Sequence, residues 1–234
     1  MPSQLNAAPA APQALEIGPP GDRVPNRFFR HDGSDWLAVL FPGWSYDCER
    51  PFLRGLREQF GLLGADVLLA DYDYPGRGFD SEGPRDELMG RFFREVEQVV
   101  GEGLRQRHYR RLTLAGKSLG TRGLAHLSSS GSLESPRGRG LEKIEFVWLT
   151  PLFGEPEVWD AILKSHDRSI FVIGTEDPHF TPGKVERLGR KPGCEVVVLE
   201  GADHALETNR NLSCAADELS QTMRAIERFL MAPP

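Results

Sequence analysis

From Trp36 onward, short apolar runs alternate with longer amphipathic stretches. A continuous run of Val, Ile and Leu marks a strand covered on both faces, whereas apolar residues spaced three to five apart mark a helix with one covered face. On this basis strands are predicted at 36–41, 65–71, 111–115, 144–149, 169–174 and 194–200. Helices are predicted over 48–63, 86–107 and 207–230. In the second helix Leu88, Phe92, Val96, Val99 and Leu104 trace the apolar stripe, and in the third Leu212, Ala216, Leu219, Met223, Ile226 and Phe229 do so. Upstream, 15–17 and 26–30 flank Pro19-Pro20-Gly21 and read as an antiparallel edge. The stretch 128–140 is rich in Ser and Gly and is expected to be a mobile surface loop. The alternation predicts an α/β fold, with a mostly parallel central sheet of about seven to eight strands and helices on both faces.

The chain has 234 residues, 39% of them hydrophobic and 26% charged, enough for a sizeable core. One domain is expected over 15–234, preceded by a flexible arm at 1–14 rich in Ala and Pro. With a net charge of -6 and no Lys/Arg block, nucleic acid is not an expected partner. The apolar runs are far shorter than the roughly 20 residues that cross a bilayer. Cys48, Cys194 and Cys214 lack CxxC spacing, which argues against a disulfide framework and a zinc site. The first residues lack the basic start and apolar core of a secretory signal, so the expected location is cytoplasmic.

The chemistry concentrates where the strand 111–115 meets the following helix, at Gly116-Lys117-Ser118-Leu119-Gly120. A serine on a sharp strand-to-helix turn needs flanking residues without a Cβ, and Gly116 and Gly120 meet that need. The Gly-Lys-Ser triplet also invites a phosphate-binding loop, but the glycine required five residues earlier is Arg111. A serine hydroxyl is a poor nucleophile, so a base and an orienting acid are expected downstream. The strand 169–174 leads into Thr175-Glu176-Asp177, and the strand 194–200 leads into Gly201-Ala202-Asp203-His204. Loops at the carboxyl ends of neighbouring parallel strands converge, which brings Ser118, Asp177 and His204 together. His179, with Asp177, Asp203 and His204, offers a metal-binding alternative, but no ligand pair has helical spacing and no metal or other cofactor is expected.

These motifs, in the order Ser, Asp, His, resemble the α/β-hydrolase superfamily over about residues 15–230. The segment Asp71-Tyr72-Asp73-Tyr74-Pro75-Gly76-Arg77-Gly78 is similar to the family's Gly-rich turn. The resemblance implies acyl transfer to water, with Ser118 as nucleophile, His204 as general base and Asp177 as its orienting acid. Glu155 or Glu157 is the alternative acid. The implied oxyanion donors are the backbone amides of Leu119 and Trp44, although Pro42-Gly43-Trp44 departs from the family's His-Gly pattern. Tyr74, Phe153, Trp159 and Phe180, with Trp44, are candidates to line an acyl pocket. Lys117 is read as a solvated or ion-paired side chain, with a bias toward anionic substrates as the sharper alternative. Residues 150–168 have room for one helix, so no separate cap is expected. An open site suits a small-molecule or carrier-bound acyl group joined through an ester or thioester. A peptidase, a dienelactone-hydrolase-like enzyme, an acyltransferase and a noncatalytic binding protein are the alternatives.

Overall fold

The structure is a computed structural model that describes residues 11–74, 76–77, 85–138, 140–208 and 212–233. The arm up to residue 10, Pro75 and Gly78 of the turn motif, and the side chains of Leu212 and Cys214 lie outside the described residues.

Seven strands form one sheet: β1 (Asn26–Phe29), β2 (Trp36–Phe41), β3 (Asp66–Ala70), β4 (Arg111–Lys117), β5 (Lys143–Leu149), β6 (Arg168–Gly174) and β7 (Cys194–Leu199). Their order is β1-β3-β2-β4-β5-β6-β7, with β1 antiparallel to β3 and every other pair parallel. Side chains alternate between two apolar layers. Leu37, Val39 and Phe41 of β2 join Leu112, Leu114, Phe146, Trp148, Phe171 and Ile173 in one layer. Trp36, Ala38 and Leu40 join Ala115, Val147, Leu149, Ile170 and Val172 in the other. Burial on both faces is what writes the inner strands β2 to β6 as largely apolar runs.

The first layer is covered by α2 (Arg85–Arg105), α3 (Leu119–Ser129), α5 (Pro156–Lys164) and α6 (Pro182–Gly189), through residues such as Phe92, Leu124, Ile162 and Leu188. The second is covered by α1 (Pro51–Leu62) and α7 (Leu212–Met231), through Leu53, Leu56, Phe60, Ile226 and Phe229. Only α5 separates β5 from β6, so no cap domain is inserted there. The chain leaves β2 for β3 on one side and returns to β4 on the other. That reversal opens a crevice at the carboxyl ends of β2 and β4, the usual ligand position in such sheets.

Four expectations are corrected. Residues 15–17 do not form a strand; Gln13 exchanges two backbone bonds with Phe28 instead, and the Val24 amide donates to the Ile17 carbonyl. The stretch 128–140 is not a free loop, because α3 runs to Ser129, α4 (Glu134–Gly138) follows, and Leu133 and Leu141 are buried in the core. Two buried leucines anchor a segment whose composition reads as mobile. Strand β4 continues through Gly116 to Lys117, since its register with β5 pairs Lys117 with Leu149. Finally, β7 is not covered on both faces: it closes the sheet as an edge strand, Leu199 is its one buried residue and Val198 is 41% exposed.

At the amino-terminal edge of the sheet, the fully buried Glu145 receives Arg111 (2.6 Å), Arg168 (3.1 Å) and Lys143 (3.1 Å). The two arginines also donate to the carbonyls of Leu230 and Phe229, binding the end of α7 to the sheet. Cations there satisfy orphan carbonyls and complement the helix dipole.

Candidate active site

Ser118 stands between β4 and α3 with φ 50° and ψ −112°, a backbone conformation that L residues rarely adopt. Such strain, of order 1–3 kcal/mol, persists only where the surroundings over-determine it. Here the Ser118 amide donates to the Leu149 carbonyl (3.0 Å), and its carbonyl accepts from the amide and hydroxyl of Thr121 (2.8 and 2.6 Å). A Cβ on Gly120 would fall 2.3 Å from the Phe41 carbonyl oxygen, and one on Gly116 would fall 2.7 Å from the Gly120 carbonyl oxygen. The two glycines flanking the serine are thus fixed by close backbone approach.

Asp177 is 3% exposed and sits in the turn after β6. Its Oδ1 accepts from the His179 amide (2.8 Å), leaving Oδ2 for His204 Nδ1 (2.8 Å). The other imidazole nitrogen, Nε2, lies 2.8 Å from Ser118 Oγ. A carboxylate can only accept, so Nδ1 carries the proton and Nε2 of the neutral ring accepts from the serine hydroxyl. Asp203 does not take part; its Oδ1 accepts from the amides of Ala205 and Glu207 and closes the turn that carries His204.

The acid and base loops are pressed together at Gly174, where a Cβ would lie 1.9 Å from the Ala202 carbonyl oxygen. That carbonyl accepts from the Glu176 amide (3.0 Å), and the Gly201 amide donates to Thr175 Oγ1 (2.8 Å). Glu155 and Glu157 instead pair with Arg122, at 3.9 and 2.5 Å.

Gly43 abuts the serine, since a Cβ there would be 3.3 Å from Ser118 Cβ. The amides of Trp44 and Leu119 donate to no hydrogen bond among the described residues. The Leu119 amide is the first of α3, an orphan donor aided by the helix dipole. Both amides lie on turns that meet at Ser118, one directly after it and one after Gly43, and have their donors free.

The aromatic candidates divide. Tyr74 and Phe153 are 2% and 1% exposed and belong to the core, so neither presents a face to a ligand. They back the half-buried Trp44 and Trp159, with ring centroids 5.9 and 5.6 Å apart. Phe180 is half-buried. Tyr74 is held from below by the buried Glu95, whose carboxylate accepts from its hydroxyl at 2.6 Å. Asp177, His179 and His204 place ligating atoms within 4.8 Å of one another. Both Asp177 oxygens already serve the hydrogen bonds that orient the imidazole, so a metal there would compete with that arrangement. Burial lowers the His179 pKa and favours its neutral form.

Lys117 corrects the expectation of a solvated side chain. It is 1% exposed, and Nζ donates to the His204 carbonyl (2.8 Å) and to Thr150 Oγ1 (3.2 Å). The sequence gives no sign of this, because the acceptors come from distant loops.

The sequence profile of an alpha/beta hydrolase domain matches residues 39–231. No curated protein matches the chain significantly. Among solved structures, a lidless α/β serine hydrolase from Xanthomonas campestris superposes with a TM-score of 0.62 at 18% identity, over 98% of this chain and all of its own. Est1E from Butyrivibrio proteoclasticus, solved with ferulic acid bound, gives 0.66 at 15% identity over 93% and 98%. An esterase from Pyrococcus furiosus gives 0.62 at 17% identity over 94% and 91%. No helix among the described residues is long and apolar enough to cross a membrane. With its profile matched over most of its length and its fold superposing on these structures, the chain belongs to the alpha/beta hydrolase family.

Proposed function

We propose that the protein is a serine hydrolase that cleaves a carboxylic ester or thioester through an acyl-enzyme on Ser118. The observation that carries this reading is the unbroken chain from Ser118 Oγ to His204 Nε2 and from His204 Nδ1 to Asp177 Oδ2, each link 2.8 Å. His204 takes the hydroxyl proton as Oγ attacks the carbonyl carbon, and Asp177 holds the ring and stabilises its charged form. The carbonyl oxygen gains the negative charge and is met by the amides of Leu119 and Trp44, each worth roughly 3 kcal/mol in comparable sites. His204 then returns the proton to the leaving alcohol or thiol. Water, deprotonated by the same imidazole, releases the acid and restores Ser118.

The gradient of exposure supports this division of labour, with the Asp177 side chain fully buried and the His204 side chain 33% exposed. The missing cap supports an open site for a small-molecule or carrier-bound acyl group, lined by Trp44, Trp159 and Phe180. The test is hydrolysis of p-nitrophenyl esters and matching thioesters of increasing acyl length, by wild type and Ser118→Ala. Turnover by wild type that Ser118→Ala loses by at least a thousandfold is expected; equal turnover by both would refute the assignment.

A further inference from the structure

Beside the serine lies a buried cation for which this mechanism has no use. Lys117 closes β4, and its side chain leaves the strand toward the α1/α7 layer, with the same parity as Ala115. Its three donors meet the His204 carbonyl, Thr150 Oγ1 and the face of Tyr46, whose ring centroid is 4.4 Å from Nζ. No carboxylate of the described residues lies within ion-pair distance of Nζ. The three partners follow β7, β5 and β2, so one ammonium ties three separate loops to the strand that carries the nucleophile.

Burying an ammonium among dipoles alone is costly, and an apolar side chain of similar volume would fill the space without that cost. What an apolar residue cannot do is hold a carbonyl. One held residue is strained, Thr150 with φ 44°, and the turn that carries the other contains a second, Leu206 with φ 61°. With Ser118, these are three of the four non-glycine residues at positive φ among those described: Ser118 follows Lys117, Thr150 is one of its acceptors, and Leu206 lies two residues beyond the other, His204. Strain gathered around one side chain points to a geometry that this side chain helps impose.

We propose that Lys117 is a positioning residue: its buried ammonium grips the His204 carbonyl and so sets the imidazole against Ser118 Oγ. The inference rests on the reading of Ser118 as the nucleophile. It also gives the site a pH limit. Burial pushes the Lys117 ammonium down to about 8, while the more distant carboxylates of Asp177, Asp203 and Glu207 partly counter that shift. The remaining groups facing it are the Tyr46 ring, the Thr150 hydroxyl and the His204 backbone. Above about pH 8 the grip passes from a charge-assisted bond to the weaker bond of a neutral amine.

The test is the second-order rate of Ser118 labelling by a fluorophosphonate from pH 6 to 10, in wild type, Lys117→Met and Thr150→Val. Wild-type labelling should decline on the alkaline side near pH 8. Lys117→Met should label about ten- to a hundredfold more slowly at pH 7, the scale expected when a reacting group is misplaced by up to about 1 Å, and should lack the alkaline limb. Thr150→Val removes one acceptor of the ammonium, so its limb should move to lower pH; this variant carries the test if Lys117→Met does not fold. Labelling of Lys117→Met within threefold of wild type with an unchanged limb, or an unmoved limb in Thr150→Val, overturns the positioning role alone. No labelling of folded wild type overturns the reading of Ser118 and this inference with it.

Discussion

Replacing Gly174 with alanine should damage the site without touching any residue in it. The new Cβ would lie 1.9 Å from the Ala202 carbonyl oxygen, 2.5 Å from its carbon and 2.8 Å from its Cβ. An ordinary contact is roughly 3.5 Å, so the turn after β7 must retreat from β6 by about 1.5 Å. Backbone cannot rotate out of the way as a side-chain tip can. The retreat breaks the bond from the Glu176 amide to the Ala202 carbonyl and carries His204 away from Asp177. Overpacking of about 1–3 kcal/mol, with about 1 kcal/mol for the lost bond, predicts a loss of about 2–4 kcal/mol. For a chain of this size that lowers Tm by roughly 5–15 °C. A misplacement of about 1 Å at the base should cost about a hundredfold in the labelling rate of Ser118. Differential scanning fluorimetry and labelling kinetics read the two effects. Gly183→Ala is the control, because its Cβ would meet nothing within 4 Å. Gly174→Ala with unchanged Tm and labelling within threefold of wild type would refute the claim that this close approach sets the site.

Asp177→Asn should leave the fold intact and lower the rate of ester hydrolysis about 10³- to 10⁴-fold, because an amide can present its N–H and stabilise the wrong tautomer of His204; steady-state kinetics would read it. Lys117 has a folded pKa of about 8 against 10.5 unfolded, so between these values the unfolded state binds more protons and stability rises with pH. The penalty is therefore full below about pH 8, and wild type should gain up to about 3 kcal/mol relative to Lys117→Met between pH 8 and 10.5, measured by urea unfolding. Glu145→Ala leaves Arg111, Arg168 and Lys143 facing one another across a partly buried site; a loss of about 3–5 kcal/mol is expected, with the midpoint of denaturant unfolding as the check.

Much of the fold was legible because strands buried on both faces carry unbroken apolar runs, as at Leu37–Phe41 and Ile170–Ile173. The candidate nucleophile and its partners were legible because each follows a predicted strand and the glycines beside Ser118 have a steric cause. The rest depended on facts that spacing does not encode. Leu133 and Leu141 anchor a segment that Ser and Gly make look loose. Tyr74 and Phe153 belong to predicted loops yet lie under other rings, a matter of how the chain folds back. Lys117 reads as a charged residue in the turn beyond the predicted strand, and its burial follows only from the loops of Tyr46, Thr150 and His204 closing over it. Positive φ at Thr150 and Leu206 has no signature in residue type.

The central claim is that Ser118 is an activated nucleophile, and intact-mass labelling with a fluorophosphonate near neutral pH tests it most directly. The account predicts one adduct per wild-type chain and none on Ser118→Ala. A folded wild-type protein that stays unlabelled, or an equally labelled Ser118→Ala, would contradict it.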